Sequence, residues 1–404
     1  MAYEYHHGVR VFETTAVGAA IRMISTAIIG LVATAPAADA EAFPLNVPVL
    51  LTNPAGAVGK AGAGGTLAKA LQQIGAQSRA VVVVVRVEAG ATPAETTSNV
   101  VGTTTATGQR TGIQALLSAQ SELGVKPRIL GAPDLDTKTV ANALATACQS
   151  LRAFAYVAAR GADGIAVAQT KEEATTYRDE FGQRELMVLW PRFLSWDTAT
   201  SAIVESSPVA YAMGLRAKLD QTIGWHKSLS NAVINGPEGI STPVFFDLQN
   251  PESDAGYLNG LEVTTIINQA GYRFWGSRTC EMKGGKFPFE NYTRTAQIMA
   301  DTIAEGHMAF IDQPMTPTLV KDMLGYINKL FRDMVSSGRI VGATAWFDPD
   351  QNDAANLAAG QLLISYDYTP TPGLENLIFE QSITDSYLAQ FAEAIASALS
   401  LIHI

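Results

Sequence analysis

Ala80 to Val87 reads AVVVVVRV: eight residues, β-branched at six of them and apolar at seven. A strand with one wet face alternates apolar with polar residues, whereas a run that is apolar on both faces belongs to a strand covered on each side. Such strands lie inside parallel sheets flanked by helices. Working outward, apolar runs recur at Ser25 to Val32, Pro48 to Leu51, Arg128 to Leu130, Phe154 to Ala159 and Leu186 to Trp190. Between them, Ala-rich stretches predict helices at Thr66 to Ile74, Gly112 to Leu123, Thr137 to Ala153 and Lys171 to Phe181. Strand and helix in alternation predict an α/β domain over residues 21–239, broken by an exposed hairpin or loop at 89–110 (AGATPAETTSNVVGTTTATGQR).

The texture changes near residue 240. Aromatic, strand-like segments give way to helices near Asn291 to Ala304 and Pro317 to Ser336. Strands are expected at Ile340 to Phe347, Gln361 to Tyr368 and Asn376 to Ile383. A last helix, Asp385 to Leu399, carries Leu388, Phe391, Ile395 and Leu399 on one stripe. The expected fold is therefore α/β and α+β, with an α+β domain at 240–373 and a terminal segment at 374–404. Residues 1–20 form a separate arm in which Val9 and Val11 alternate with Arg10 and Phe12, an extended pattern.

Composition excludes several classes. At 404 residues the chain exceeds one ordinary core. Its net charge of -10 and lack of any basic run argue against a nucleic-acid partner, which would demand clustered cations. Cys148 and Cys280 are too few for a disulfide framework, and no apolar stretch is long enough to insert into a membrane. Ile24 to Ala40 imitates a secretory signal, with Arg22 before an apolar run and Ala38 to Ala40 after it; more than twenty residues precede it, and a buried strand is the better reading.

Chemistry is thinly represented. Gly56 to Gly65 (GAVGKAGAGG) sits between a strand and a helix, where a phosphate loop would be. The spacing fails, because Gly59 and Lys60 come too early and Ala61 lacks the hydroxyl that binds magnesium. The dinucleotide pattern fails at Leu67, where its third glycine should stand. The five histidines share no metal-binding spacing; His6 and His7 lie at a polar terminus, and His226, between Trp225 and Lys227, reads as a packed histidine. Neither a nucleophile elbow nor a catalytic carboxylate pair is visible, so neither enzyme activity nor a cofactor or metal is expected.

Charge is distributed unevenly. All 28 lysines and arginines lie at or before Arg339, and eight acids follow it: Asp348, Asp350, Asp353, Asp367, Glu375, Glu380, Asp385 and Glu393. That same terminus is strongly apolar (LLISYDYTP, LENLIFEQSI, LSLIHI). An apolar segment with one sign of charge suits a partner that supplies cations, and Arg273, Arg278, Lys283, Lys286 and Arg294 of a neighbouring copy are candidates. Extended segments at both ends cannot be stable as isolated strands in water, so pairing with other subunits is expected. Contacts of that kind are heterologous and need not close into a dimer.

Ordered blocks of sequence point to a family. HHGVRVFE (His6 to Glu13), ISTAIIGLVATAP (Ile24 to Pro36), FPLNVPVLLTN (Phe43 to Asn53), KPRILGAPDLDT (Lys126 to Thr137) and RELMVLWPRFLSWD (Arg184 to Asp197) are followed by GLRAKLDQTIGWHKSLSN (Gly214 to Asn231), GYRFWGSRTC (Gly271 to Cys280), FENYTRTAQIMADTI (Phe289 to Ile303) and YDYTPTPGLENLIFEQSITDSYL (Tyr366 to Leu388). Nearly end to end, these resemble the contractile tail sheath proteins of myophages and the related R-type pyocin sheaths. The resemblance implies a virion protein, assembled in the host cytoplasm, that stacks as hexameric rings around a tail tube protein between baseplate and tail terminator. It implies that the terminal arms exchange strands between subunits. That role would fall on Tyr5, His7, Val9, Arg10, Val11 and Phe12 at one end, and on Leu377, Phe379, Glu380 and Ile383 at the other. Asp385 and Glu393 would meet the tube or a neighbour. The α+β domain would form the inner layer and the α/β domain the outer one. The rival readings are a Rossmann-like nucleotide-binding enzyme built on Gly56 to Gly65, and an assembly protein that does not contract.

Overall fold

The computed structural model describes residues 23–197 and 200–400. These residues divide into a large body ending at Thr371 and a C-terminal unit, Pro372–Ile404, described here to residue 400.

The large body is built on a six-stranded sheet: β1 (Ile28–Thr34), β2 (Val49–Leu51), β3 (Val81–Val87), β4 (Ile129–Gly131), β5 (Phe154–Ala158) and β6 (Leu186–Leu189), in the order β2-β3-β1-β4-β5-β6. Only β2 runs antiparallel, at one edge. Ile28 to Thr34 pair in parallel with Val81 to Val87, so the apolar run that imitates a signal sequence is a central strand, buried along its length. Val83, Val85 and Val87 enter one core with the helix Lys138–Leu151 and the segment Gly112–Leu123, while Val82 and Val84 enter a second core with the helices Leu67–Gln77 and Pro208–Thr222. Both faces are thus covered, which is why AVVVVVRV has no polar alternation.

The helix Pro208–Thr222 has no signature in the sequence reading. It has no apolar stripe, because it is buried from Pro208 through Ala217 without interruption. Gly214 lets it approach the helix Leu67–Gln77, where a Cβ would stand 2.9 Å from the backbone of Ile74. A second correction concerns 89–110. Instead of a loop throughout, it contains the helix Pro93–Val101, started by a reciprocal cap in which Thr92 accepts from the Glu95 amide and Glu95 accepts from that of Thr92. A short hairpin follows, bridged between Thr104 and Arg110.

Packing is continuous across residue 240. Leu258, Val263 and Cys280 join the first core, and Ile266 and Phe274, from the hairpin Thr265–Asn268/Tyr272–Trp275, join the second. A third, smaller core gathers Ile298, Met299, Ile327, Phe331 and Met334 from the helices Glu290–His307 and Pro317–Ser336 with Trp225 from the loop after the helix Pro208–Thr222. It is closed by an antiparallel ribbon, Ile340–Phe347 with Ile364–Pro370. The second ribbon strand starts later than the sequence suggests because the Asn352 side chain takes both backbone groups of Leu363, accepting from its amide at 2.8 Å and donating to its carbonyl at 3.0 Å.

The C-terminal unit contains the helix Leu388–Ser400. The strand expected at Asn376 to Ile383 does not form; those residues are irregular and exposed. A single strand leaves its backbone groups unpaired, so without an edge to join it has no stable ladder.

Candidate assembly surfaces

The ribbon consists of two strands only, so each keeps an outer edge with no ladder partner among the described residues. Open edges accept further strands. The ribbon itself is fixed from behind: Asn328, on the helix Pro317–Ser336, donates to the Ala345 carbonyl and accepts from the Ala345 amide, both at 2.9 Å. Val341 and Trp346 are exposed on it.

The C-terminal unit is apolar and bare. Ile378, Phe379 and Ile383 are 80%, 83% and 97% exposed, and Leu388, Phe391, Ile395 and Leu399 leave the helical stripe uncovered. Leu377, Phe379, Glu380 and Ile383, expected to pair with a neighbour, therefore lie together on one unpaired segment; Asp385 stands just before the helix and Glu393 on it, both exposed. Glu380, Asp385 and Glu393 make no ion pair among the described residues. Tyr5, His7, Val9, Arg10, Val11 and Phe12, with His6, lie outside the described residues.

Part of the acidic terminus has a local explanation. Asp348 accepts from the Asp350 amide at 3.0 Å and Asp353 from the Asn356 amide at 2.8 Å, so both cap short helical turns. Among the cations considered as their partners, Arg294 is excluded. It is 2% exposed and committed to Asp220 through two bonds, at 2.8 and 2.5 Å. Arg273 donates to the carbonyls of Gln269 and Asn231, and Arg278 lies over the Phe289 ring. Lys283 and Lys286 stand exposed.

Arg294 belongs to a buried cluster that no spacing in the sequence signals. Arg216 reaches Asp220 at 2.9 Å and Glu290 at 3.4 Å, and it also donates to the carbonyls of Lys227 and Gly224. Glu290 accepts from Tyr156 Oη at 2.5 Å and from the Leu229 amide at 3.2 Å. Two cations face two acids, and nearly every lone pair and proton is used, the condition under which buried charge is tolerated. Burial opposes ionisation of Asp220, but Arg216 and Arg294 outweigh it and hold the carboxyl below its usual range. The cluster ties β5 and the helix Pro208–Thr222 to the helix Glu290–His307. Lower on that same helix, Asp301 accepts from Lys126 at 2.8 Å, Arg152 at 2.6 Å and Arg128, anchoring it to the segment around β4.

The glycine-rich loop has a packing reason. Gly62 and Gly65 have φ of +68° and +69°, and a Cβ on them would stand 2.1 Å from the Ala37 carbonyl oxygen and 2.3 Å from that of Thr34. The space a phosphate would need against these glycines is filled by the chain's own backbone, with the Thr66 amide donating to Thr34 O at 2.8 Å. Cys148 and Cys280 are buried free thiols; burial pushes Cys280 up to about 12 and Cys148 well above its ordinary value. His226 is half-buried, edge-on to Trp225 with ring centroids 6.2 Å apart. No group of three potential metal ligands and no helix able to cross a membrane occurs among the described residues.

The described residues thus combine a doubly wound sheet, buried ion clusters that hold the helix Glu290–His307 to it, a ribbon with open edges and a separate bare apolar segment. Comparison with known proteins gives that combination a family. Residues 26–87 match the tail sheath protein Gp18 domain III N-terminal region, 108–280 the phage tail sheath protein central domain, and 283–384 the phage tail sheath C-terminal domain. The tail sheath protein of Escherichia phage P2 is 53% identical over 400 residues, covering 98% of this chain and 99% of that one. The major tail sheath protein of Serratia phage KSP20 is 44% identical, covering 96% and 97%. The contracted PVC sheath of an extracellular contractile injection system shares the fold at a TM-score of 0.70 with 14% identity, covering 96% of this chain and 99% of that one; the contracted helical sheath of the anti-feeding prophage does so at 0.68, with 16% identity and coverage of 95% and 100%. The chain belongs to the phage tail sheath family, structural proteins of contractile tails.

Proposed function

We propose that copies of this chain stack as hexameric rings around a tail tube, between baseplate and terminator, and contract to drive the tube through the host envelope during genome delivery. The observation that carries this reading is the unpaired segment from Leu377 to Ile383, exposed beside no partner strand, in a chain whose ribbon keeps open edges. Residues 5–13 of one copy and 375–384 of another add to such edges, so each subunit links two neighbours by strand exchange. The α+β region of 240–373 forms the inner layer and the α/β region of 21–239 the outer one. Asp385 and Glu393 face the tube or an adjacent subunit.

Such a lattice needs no nucleotide. Exchanged strands keep subunits linked while their bodies turn and slide, and the larger interfaces of the contracted form supply the free energy. The Gly56 to Gly65 loop, packed on Thr34 and Ala37, fits a protein with no catalytic step. Deleting residues 1–13 is expected to leave a folded monomer that no longer polymerises. Loss of folding, seen by circular dichroism, would show that the arm completes its own core and would refute strand exchange at that end.

A further inference from the structure

The third core has an apolar cavity of about 420 Å³ at its open end. Its walls include Ile303, Met315, Leu319, Met323, Ile327 and Ile364, drawn from both long helices, the turn between them and the ribbon. Met315 is also exposed, as are Met308 and Ile311 beside it. Unbranched methionine side chains adapt to whatever fills them and are favoured at helix-binding grooves. His307, on the same wall, bonds the Ile303 carbonyl at 2.7 Å through Nδ1 and leaves Nε2 without a partner among the described residues.

We propose that this groove receives the helix Leu388–Ser400 of a second copy of the chain. That helix is a complementary ligand: Leu388, Phe391, Ile395 and Leu399 repeat at three and four residues, rise about 16 Å along one face, and have no cover in their own unit. A helix of this length is marginal in water without packing, so it needs an apolar surface elsewhere. The 16 residues from 372 to 387, irregular in structure, span up to about 50 Å when extended, enough to reach an adjoining subunit. Each copy carries one groove and one helix, so pairing between copies consumes both in equal number and propagates without closing. The inference rests on the assembly reading above and gives its C-terminal arm a second anchor, made by side chains where the exchanged strand is held by backbone.

Thiol pairing tests it in the full-length chain, where the native Cys148 and Cys280 are buried and unreactive. Met323→Cys and Phe391→Cys proteins are mixed, polymerised, oxidised and run on a non-reducing gel; Glu393→Cys, on the opposite face of the helix, replaces Phe391→Cys in the control. A disulfide-linked dimer from the first pair and about tenfold less from the control is expected, since bridging needs Cα atoms within about 7 Å. Polymers that form with no dimer, or with equal dimer in both mixtures, overturn the groove while leaving the assembly reading intact. A link within one chain, seen in the dilute Met323→Cys/Phe391→Cys double variant, overturns the second copy as occupant. Absence of polymer in the unmodified chain overturns both. Independently, Phe391→Asp is expected to abolish polymerisation without changing the melting of unassembled protein; polymerisation at the unmodified level counts against the docking.

Discussion

Replacing Arg294 by methionine removes one cation from a buried cluster in which Arg216 and Arg294 balance Asp220 and Glu290. The side chains of Arg216, Asp220 and Glu290 have no exposure, and that of Arg294 has 2%. Methionine fills much of the same volume, so the change is chiefly electrostatic. Asp220 loses a two-pronged partner, and the Thr26 carbonyl loses a donor at 3.3 Å. Removing one member of a buried pair costs about 3–5 kcal/mol. In a body this large each kcal/mol moves the melting temperature by roughly 2 °C, so Arg294→Met is expected to melt about 6–10 °C lower. Asp220→Leu alone leaves Arg294 buried without its carboxylate partner and costs a similar amount. The double variant leaves Arg216 paired with Glu290, and its loss is expected to fall short of the summed losses by about 2 kcal/mol. Scanning calorimetry on the unmodified chain, both single variants and the double, unassembled and at one concentration, measures all terms. A single-variant loss below about 1 kcal/mol, or simple additivity, would refute the view that these four residues act as one clamp between the helices Pro208–Thr222 and Glu290–His307.

Acid should weaken the same junction. Burial alone would raise the Asp301 carboxyl, but the hydrogen bond from Lys126 and the charge of Arg128 outweigh it and hold it below the usual range. A folded value below the unfolded one of about 3.9 gives stability that is full at neutral pH and lost as pH falls through the folded value. Asp301→Asn should therefore flatten the acid limb of a stability profile below about pH 4, and an unchanged limb would show that the ion cluster is energetically idle. Gly65→Ala, forced to φ +69° with its Cβ against the Thr34 carbonyl, should cost about 1–3 kcal/mol in urea unfolding with no nucleotide present; a neutral result would remove the packing explanation of that loop. Replacing Glu380 and Asp385 together by lysine should weaken polymerisation in a salt-dependent way, and identical light-scattering curves at low and high salt would discard the role given to the acidic terminus.

The architecture of the α/β region was legible because its strands are buried on both faces and its helices have one polar side, so hydropathy alone reports them. Legibility failed where that contrast disappears. The helix Pro208–Thr222 is enclosed on all sides from Pro208 to Ala217, so its sequence there gives no period, and Gly214 is the residue that permits its close approach to Ile74. The helix Pro93–Val101 did announce itself through Thr92 and Glu95, a local cap hidden in a stretch that composition alone marks as loop. Arg294 could not be told from a surface cation, since its partners Asp220 and Thr26 are remote in sequence and only the fold brings them within reach. At Asn376 to Ile383 the β-forming sequence and the irregular backbone disagree for a physical reason: a strand is held by the hydrogen bonds of a neighbouring strand, and this segment has no ladder partner among the described residues.

Negative-stain microscopy of the purified full-length chain tests the central claim most directly. Striated tubes or hollow sheaths are expected. Flat sheets, closed shells or a monodisperse monomer at every concentration would contradict a subunit completed by its neighbours in a contractile sheath.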